Sequence, residues 1–367
     1  MIDCSAHQYF MFMLLLFSLW CVSCSAFSPR GYGETVPASD QHGVLKNASV
    51  SPEFSTSIEE SHVDLSSGTT MQVLSLLPEK YPTEKPPIVF LHGSFHGAWC
   101  WAENFFCHFA SQGYPVIAPS WRGTGGTYAG DGVKKVKIAE HMADLKCLLD
   151  QLRDIAKLDS TSKPPVVVAH SFGGLAVMKA LEDDPTLCSR LSGIVMMCSV
   201  PPSGNGKMTM RYLKRSLVDS YKITVGFAMK RCLQNEDLCR QLFFGGSKKV
   251  LPDGSIEDYG ISDADVKRFQ EYFARDSAAT IDLLDLAKKL PSQRAINGRA
   301  PFVDALPPCL VMGAIDDFIV DKEGVDETAT YFGLDNSIMV DSPHDVMLGG
   351  KWKHAAEELS RWLKQTL

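Results

Sequence analysis

Short apolar runs alternate with helix-like segments along most of this chain, and this alternation constrains the fold more than any other feature. Apolar residues with helical spacing occupy the stretches 98–111, 133–156 and 353–367. Runs typical of buried strands occur at 87–91, 114–118, 165–169, 193–198, 309–313 and 337–340. Strands that are apolar along their whole length are typical of parallel sheets covered on both faces. The sequence therefore predicts an α/β fold: a mostly parallel central sheet with helices on both faces.

The alternation breaks between residues 201 and 300, where the pattern indicates helices and loops alone. The predicted helices there are 208–219, 235–244, 262–274 and 277–290, and Ser262 with Asp265 is typical of a helix N-cap. We therefore expect a helical cap, residues 201–300, between two core segments, 62–200 and 301–367. The apolar side chains of the cap either favour an apolar, lipid-like substrate or pack the cap onto the core; they are Met208, Met210, Phe227, Met229, Phe243 and Phe244.

The N-terminal segment is not typical of a folded domain. Residues 9–22 form an apolar run that is short for a membrane span and is followed by small residues, so we expect a signal peptide over 1–26. The junction around Phe27 resembles the bipartite presequences of algae with secondary plastids, which implies a transit peptide, or else a disordered linker, over 27–61. Import into a plastid is thus predicted, with no stable membrane span in the mature protein. Secretion, retention in the endomembrane system and an uncleaved signal anchor remain the alternatives.

The charge and the cysteine spacing argue against a nucleic-acid-binding site and a metal site. The net charge is −7 at pH 7 and no long Lys/Arg block occurs, whereas a nucleic-acid-binding domain usually carries a basic face. We therefore expect no nucleic-acid partner. The eleven cysteines form no paired CxxC motifs and no His/Cys cluster, so we expect no metal site. Disulfides remain open at this stage.

The strongest chemical motif is Val166–Val-Val-Ala-His-Ser-Phe-Gly–Gly174. It has the strand–turn–helix context of a nucleophile elbow, in which a serine lies on a tight, strained turn at the start of a helix. A large side chain two residues before or after the serine would not fit that turn, and the small residues Ala169 and Gly173 stand at these two positions. The motif predicts Ser171 as a nucleophile.

An earlier apolar strand leads into Phe-Leu-His-Gly-Ser-Phe-His-Gly-Ala-Trp, residues 90–99. With the serine motif, this segment resembles the α/β-hydrolase superfamily, where a His-Gly after the third strand shapes a loop whose next backbone N–H binds an oxyanion. The resemblance implies that the N–H groups of Ser94 and Phe172 are the oxyanion donors. It favours a structural role for His92, and we interpret His96 as a loop residue rather than a pocket residue.

Residues 120–127, Ser-Trp-Arg-Gly-Thr-Gly-Gly-Thr, resemble the glycine-containing loop that follows the fourth strand in the same superfamily. Their glycines alone could suggest phosphate binding. Because the lysine of a P-loop is missing, we interpret the run as loop geometry.

A serine hydroxyl needs a base, and the base needs an orienting carboxylate. In this superfamily the chain order is serine, acid, histidine. The segment 311–320 resembles the acid loop: Asp317 has the better spacing to Val320 and Asp316 the better spacing to Gly313, and we favour Asp317. His344, after the last strand, is the predicted base.

The resemblance extends over roughly residues 63–366 and is closest to plant-type and bacterial esterases of unassigned substrate. It implies a serine hydrolase that cleaves a small-molecule carboxylic ester through an acyl-enzyme, with no cofactor. Two alternatives remain open. One is other chemistry on the same fold by a thioesterase, lyase, amidase or perhydrolase; the other is a ligand-binding, receptor-like protein. The oligomeric state is not predicted.

Overall fold

The computed structural model describes residues 58–78, 84–159, 161–246, 249–250, 253–257 and 260–367. The predicted signal peptide and residues 27–57 of the predicted transit peptide or linker lie outside these ranges. Within the described ranges, no helix combines the length and the apolar character that crossing a membrane requires.

An eight-stranded sheet forms the centre of the molecule, in the order β1-β2-β4-β3-β6-β7-β11-β12. β1 and β2 form an antiparallel hairpin, β2 is antiparallel to β4, and the remaining pairs are parallel. Its strands are β1 Glu59–Asp64, β2 Thr70–Leu76, β3 Ile88–Leu91, β4 Val116–Pro119, β6 Val166–His170, β7 Gly193–Met197, β11 Cys309–Asp316 and β12 Ile338–Pro343. The predicted mostly parallel sheet is confirmed.

Successive residues of the parallel strands enter two different cores, one on each face of the sheet. Phe90 and Val168 pack into one core, and their neighbours Val89 and Val167 pack into the other. Helices cover both faces, which explains why these strands are apolar throughout. The carboxyl ends of β3, β6, β11 and β12 consequently lie at one edge of the sheet, and all four predicted site loops follow these ends.

Helices outside the cap segment (residues 201–300) connect or flank the strands. They are α1 Trp99–Ala102, α2 Phe105–Ala110, α3 Ile138–Ile155, α4 Phe172–Asp183, α10 Lys322–Tyr331 and α11 Trp352–Thr366. Inside the cap segment lie α5 Asn205–Arg215, α6 Leu217–Ile223, α7 Glu236–Phe243, α8 Asp263–Arg275 and α9 Leu283–Ala287. Two short strand pairs lie outside the central sheet: β8 Lys249–Val250 with β9 Ile256–Glu257, and β5 Lys135–Val136 with β10 Thr280–Ile281.

Four predicted helices differ from the observed ones. The helix predicted over 98–111 is two helices, Trp99–Ala102 and Phe105–Ala110, because the Asn104 backbone with φ −139° interrupts it. The helix predicted from residue 133 begins at Ile138, because Lys135–Val136 pairs with Thr280–Ile281 of the cap segment. That pairing also replaces the start of the helix predicted over 277–290. The helix predicted over 208–219 is two helices, because the Ser216 backbone is extended and its hydroxyl accepts the N–H of Asp219 as an N-cap.

Candidate active site

Ser171 lies between the end of β6 and the start of α4, in a conformation that few non-glycine residues adopt. Its φ is 52° and its ψ is −123°, and such strain is typical of functional turns. The Ser171 N–H donates to Met197 O at 3.2 Å, and the Ser171 carbonyl accepts the N–H of Val200 at 3.1 Å. Bonds from the neighbouring strand and its loop therefore hold the strained turn.

Two glycines let the loop after β3 approach this turn. A Cβ on Gly93 would lie 2.6 Å from Ser171 Cβ, and a Cβ on Gly173 would lie 2.7 Å from His92 O. Both distances are below any normal contact, so only glycine fits at either position. The peptide that follows Gly93, which carries the Ser94 N–H, is thereby held beside Ser171.

The three side chains named from sequence as nucleophile, base and acid meet at the carboxyl edge of the sheet. His344 Nε2 lies 3.2 Å from Ser171 Oγ, and His344 Nδ1 lies 2.8 Å from Asp317 Oδ2. Asp317 Oδ1 accepts the N–H groups of Ile319 at 2.7 Å and Val320 at 2.8 Å. One oxygen thus orders the acid loop while the other faces the imidazole. Of the two aspartates left open by the sequence, Asp317 is the one that contacts His344.

The environment of His344 suits a base that becomes cationic. Burial lowers its pKa, but the charge and hydrogen bond of Asp317, with Asp345 adding, more than offset burial, so the net pKa is raised above its ordinary value. The imidazole and the Asp317 carboxylate are almost fully buried, with exposed side-chain fractions of 2% and 0%. An imidazolium formed here is stabilised by the buried carboxylate.

The two predicted oxyanion donors belong to segments next to Ser171. Phe172 is the first residue of α4, and the first N–H groups of a helix lack an intrahelical acceptor. Ser94 follows Gly93 in the loop that contacts Ser171. Both backbone N–H groups therefore belong to segments packed directly against the hydroxyl-bearing turn.

His92 has the structural role that the sequence favours. Its Nδ1 lies 2.8 Å from Gly93 O, and its Nε2 accepts the N–H of Trp121 at 3.0 Å. Burial lowers its pKa to about 3, so the ring is neutral and bonds the loop after β4 to the loop after β3. In the loop after β4, the Arg122 guanidinium pairs with Asp144 through two bonds of 2.6 Å. Residues 120–127 thus form loop structure, as interpreted from sequence.

His96 and Asp345 form a buried pair that the sequence did not reveal. His96 Nε2 lies 2.9 Å from Asp345 Oδ2, and His96 Nδ1 lies 2.7 Å from Ser94 O. The Asp345 N–H in turn donates to Phe243 O of the cap segment at 3.0 Å. His96 does lie in a loop, but it is 1% exposed and bonded at both nitrogens. One signal was available, namely that Asp345 directly follows His344.

His170, directly before the nucleophile, is a second residue whose position sequence reasoning missed. Its Nε2 lies 2.9 Å from His344 O, and the two rings are 4.7 Å apart. Burial lowers its pKa well below the ordinary value, and His344 and His96 add to the effect. A neutral His170 therefore donates from Nε2 to the His344 carbonyl and helps to hold the His344 loop in place.

Among the described residues, one cluster has the spacing for metal ligands: His170, Cys198 and His344, whose ligand atoms lie within 4.8 Å of one another. A metal would need the Cys198 thiolate, but burial, with Asp317 adding, raises the pKa of this thiol well above its ordinary value. Both nitrogens of His344 are already bonded to Asp317 and Ser171. His344 is thus engaged in the hydroxyl–imidazole–carboxylate arrangement, and the cluster is a poor fit to a metal centre. The eight cysteines of the described ranges are free thiols.

Comparison with known proteins agrees with this geometry. A family model described as "Alpha/beta hydrolase family" matches residues 88–351, well over half of the chain. The chain belongs to the alpha/beta hydrolase family.

Among curated proteins, this hydrolase is 27% identical over 184 residues to Methylesterase 10 of Arabidopsis thaliana, covering 49% of this chain and 62% of the relative. It is 26% identical over 126 residues to Putative methylesterase 11, chloroplastic, of the same plant, covering 34% and 30%. These matches span less than two thirds of either relative.

Solved structures show the same fold at low sequence identity. A bromoperoxidase from Bacillus anthracis superposes with a TM-score of 0.56 at 16% identity, covering 83% of this alpha/beta hydrolase and 100% of that chain. A putative aryl esterase from Burkholderia cenocepacia gives a TM-score of 0.52 at 16% identity, covering 84% and 99%. Such likeness concerns the fold alone, because members of one fold carry many activities.

Proposed function

We propose that this alpha/beta hydrolase cleaves carboxylic esters of small molecules, with Ser171 as nucleophile, His344 as general base and Asp317 as the orienting acid. The observation that carries the proposal is the position of His344, with Nε2 3.2 Å from Ser171 Oγ and Nδ1 2.8 Å from Asp317 Oδ2. A serine hydroxyl in such an arrangement loses its proton to the imidazole as it attacks a carbonyl carbon.

In the acylation step, Ser171 Oγ attacks the ester carbonyl and the proton passes to His344 Nε2. The carbonyl oxygen becomes an oxyanion, which the N–H groups of Ser94 and Phe172 stabilise by about 3 kcal/mol per donor. His344 then protonates the leaving alcohol, and an acyl-Ser171 ester remains. Water activated by His344 releases the acid in the second half of the cycle.

For the substrate class, we propose methyl esters of small acids with an apolar acyl group. The methylesterase names of the two curated relatives support the alcohol part. Support for the apolar acyl part comes from aromatic rings next to the site: Phe273 lies 4.8 Å and Phe243 6.0 Å from His96 by ring centroids. Phe243 and Phe273 come from the cap segment, so we propose that residues 201–300 act as a cap over the site.

The test is covalent labelling with a fluorophosphonate probe, followed by turnover of methyl, ethyl and longer alkyl esters of the same acid. We expect wild-type protein to label and Ser171→Ala to lose both labelling and turnover, while Ser199→Ala, a buried serine next to the elbow, still labels. Absence of labelling and turnover in the wild type would favour the ligand-binding alternative. Labelling without turnover of any ester would instead favour thioester or amide chemistry.

For localisation, we propose import into a plastid. The presequence motif around Phe27 supports it, as does the word "chloroplastic" in the name of one curated relative. Fusion of residues 1–61 to a fluorescent protein tests it: plastid fluorescence is expected, and secretion of the fusion would contradict it.

A further inference from the structure

The helices α5 and α6 carry an unusual concentration of exposed apolar side chains. Ten large apolar residues are exposed in the described ranges, and five of them lie between residues 210 and 229. These five are Met210, Leu217, Val218, Tyr221 and Met229. Leu217, Val218 and Tyr221 are 70%, 63% and 67% exposed, and Tyr221 lies about one turn of α6 after the adjacent Leu217 and Val218. Single exposed apolar residues are ordinary on protein surfaces, but a cluster of this size marks an interaction site.

The same segment is strongly basic in an acidic protein. Residues 205–231 contain seven basic side chains and one acidic one, Asp219, whereas the whole chain has a net charge of −7. The basic residues are Lys207, Arg211, Lys214, Arg215, Lys222, Lys230 and Arg231. Arg211 and Arg215 bond the acidic side chains of Asp321 and Glu323. Lys207 lies 3.8 Å from Glu327 Oε1 with its side chain 66% exposed, and Lys214 is exposed.

The inner side of α5 is anchored to the molecule, which leaves the outer side open. Arg211 bonds Asp321 through two contacts of 2.6 and 2.5 Å, and Met208 is buried. On the outer side, Lys207, Met210 and Lys214 are spaced three or four residues apart and line a shallow groove of about 400 Å³. Lys207 and Lys214 bring positive charge to this groove, where a phosphate headgroup can pair with them, whereas Arg211, the third basic lining residue, is bonded to Asp321.

We propose that this face, which we name the cap patch (Lys207, Met210, Lys214, Leu217, Val218 and Tyr221), docks onto the surface of an anionic lipid bilayer. Apolar side chains flanked by lysines bind at membrane interfaces because the apolar groups enter the headgroup–acyl boundary while the cations pair with anionic lipids. Charge complementarity favours an anionic bilayer as the occupant, because its surface attracts the exposed lysines, whereas a second copy docked face to face would bring two like-charged patches together. The proposal concerns binding and does not depend on the proposed ester hydrolysis.

The test is cosedimentation of the full-length chain with phosphatidylcholine vesicles, with and without phosphatidylglycerol. We expect stronger binding to the anionic vesicles, weakened by salt. Leu217→Ser/Val218→Ser/Tyr221→Ser and, separately, Lys207→Gln/Lys214→Gln should each weaken binding about tenfold. A matched control, Leu284→Ser/Ile296→Ser, removes exposed apolar side chains elsewhere and should bind as the wild type does.

Because the N-terminal apolar segment is present in every variant, differences between variants report on the cap patch alone. Circular dichroism checks that each variant is folded. Equal vesicle binding by the wild type and both patch variants would overturn the proposal. So would a dimer in size-exclusion chromatography that the apolar triple variant abolishes, with no vesicle binding by the wild type, because the patch would then bind a second copy.

Discussion

His96 Nε2 lies 2.9 Å from Asp345 Oδ2, and this contact joins two loops that are 249 residues apart in the chain. His96 Nδ1 faces the Ser94 carbonyl, which is also an acceptor. Both ring nitrogens of His96 are therefore engaged, one by each loop. The pair fixes the Ser94 carbonyl, which is one peptide beyond the N–H of the proposed oxyanion hole, and the residue next to the proposed base.

Breaking this pair should impair turnover more than substrate binding. We expect His96→Ala to lower kcat about 10- to 100-fold with a smaller change in KM, since a misplaced donor acts mainly in the transition state. Steady-state kinetics on a short methyl ester measures this. The control is His354→Ala, an exposed histidine, which should leave kcat within about twofold.

A double-mutant cycle on unfolding free energy measures how strongly His96 and Asp345 interact in the folded protein. Asp345 is 0% exposed, so an unpaired carboxylate there costs about 3–5 kcal/mol of unfolding free energy. Urea unfolding should therefore find His96→Ala/Asp345→Ala less destabilised than the sum of the single variants. Additive effects would count against a coupled pair.

Asp317 and Asp316 offer a matched comparison of neighbouring carboxylates. Asp317→Asn should reduce kcat by about four orders of magnitude, because an amide favours the wrong imidazole tautomer. Asp316→Asn should stay within about threefold of the wild type. An equal loss in both variants would remove the distinction between them.

The pH dependence of kcat/KM provides a further check on His344. Its raised pKa predicts an acid limb above pH 6.5, with activity rising as the imidazole loses its proton. In Asp317→Asn, burial acts without the offsetting carboxylate, so the limb of the residual activity should move to lower pH. The hypothesis would fail if the limb stayed in place.

Gly173 tests the close approach of the two loops. In Gly173→Ala the new methyl group would lie 2.7 Å from His92 O, so we expect a loss of about 1–3 kcal/mol in unfolding free energy and at least about 100-fold in kcat. Gly206→Ala, in α5, meets nothing within 4 Å and should be neutral or stabilising by up to about 1 kcal/mol. Thermal unfolding and kinetics on both variants test this, and a Gly173→Ala variant as stable and active as Gly206→Ala would contradict the close approach.

The free energy of unfolding should fall in mild acid, because a buried histidine stays neutral in the folded protein but binds a proton once the chain unfolds. Burial lowers the pKa of His141 to about 4, and the Arg122 charge adds to this effect. The unfolded chain binds this proton near pH 6.5, so the contribution is fully present above about pH 6.5 and declines by about 1.4 kcal/mol per pH unit towards pH 4. His141→Phe should make urea-unfolding stability less steep between pH 6.5 and 4. An unchanged slope would refute the assignment.

The sequence by itself determined the features that depend on short segments. A strand pattern, a small-residue turn and a helix start are all contained in residues 166–182, so the Ser171 elbow was predictable. The parallel sheet was predictable for a similar reason, because strands buried on both faces must be apolar throughout. Parallel strands also present their carboxyl ends at one edge, which is why Ser171, Asp317 and His344 could be expected to meet.

Only the tertiary structure decided the features that depend on contacts between distant segments. The Asp345 carboxylate pairs with His96 because the cap segment and two sheet-edge loops converge there, and no local pattern encodes that convergence. Residues 135–136 are a strand because residues 280–281 lie beside them, although their own pattern favours a helix. The choice between Asp316 and Asp317 likewise depended on which carboxylate the loop turns inward, and the backbone N–H groups of Ile319 and Val320 make that choice.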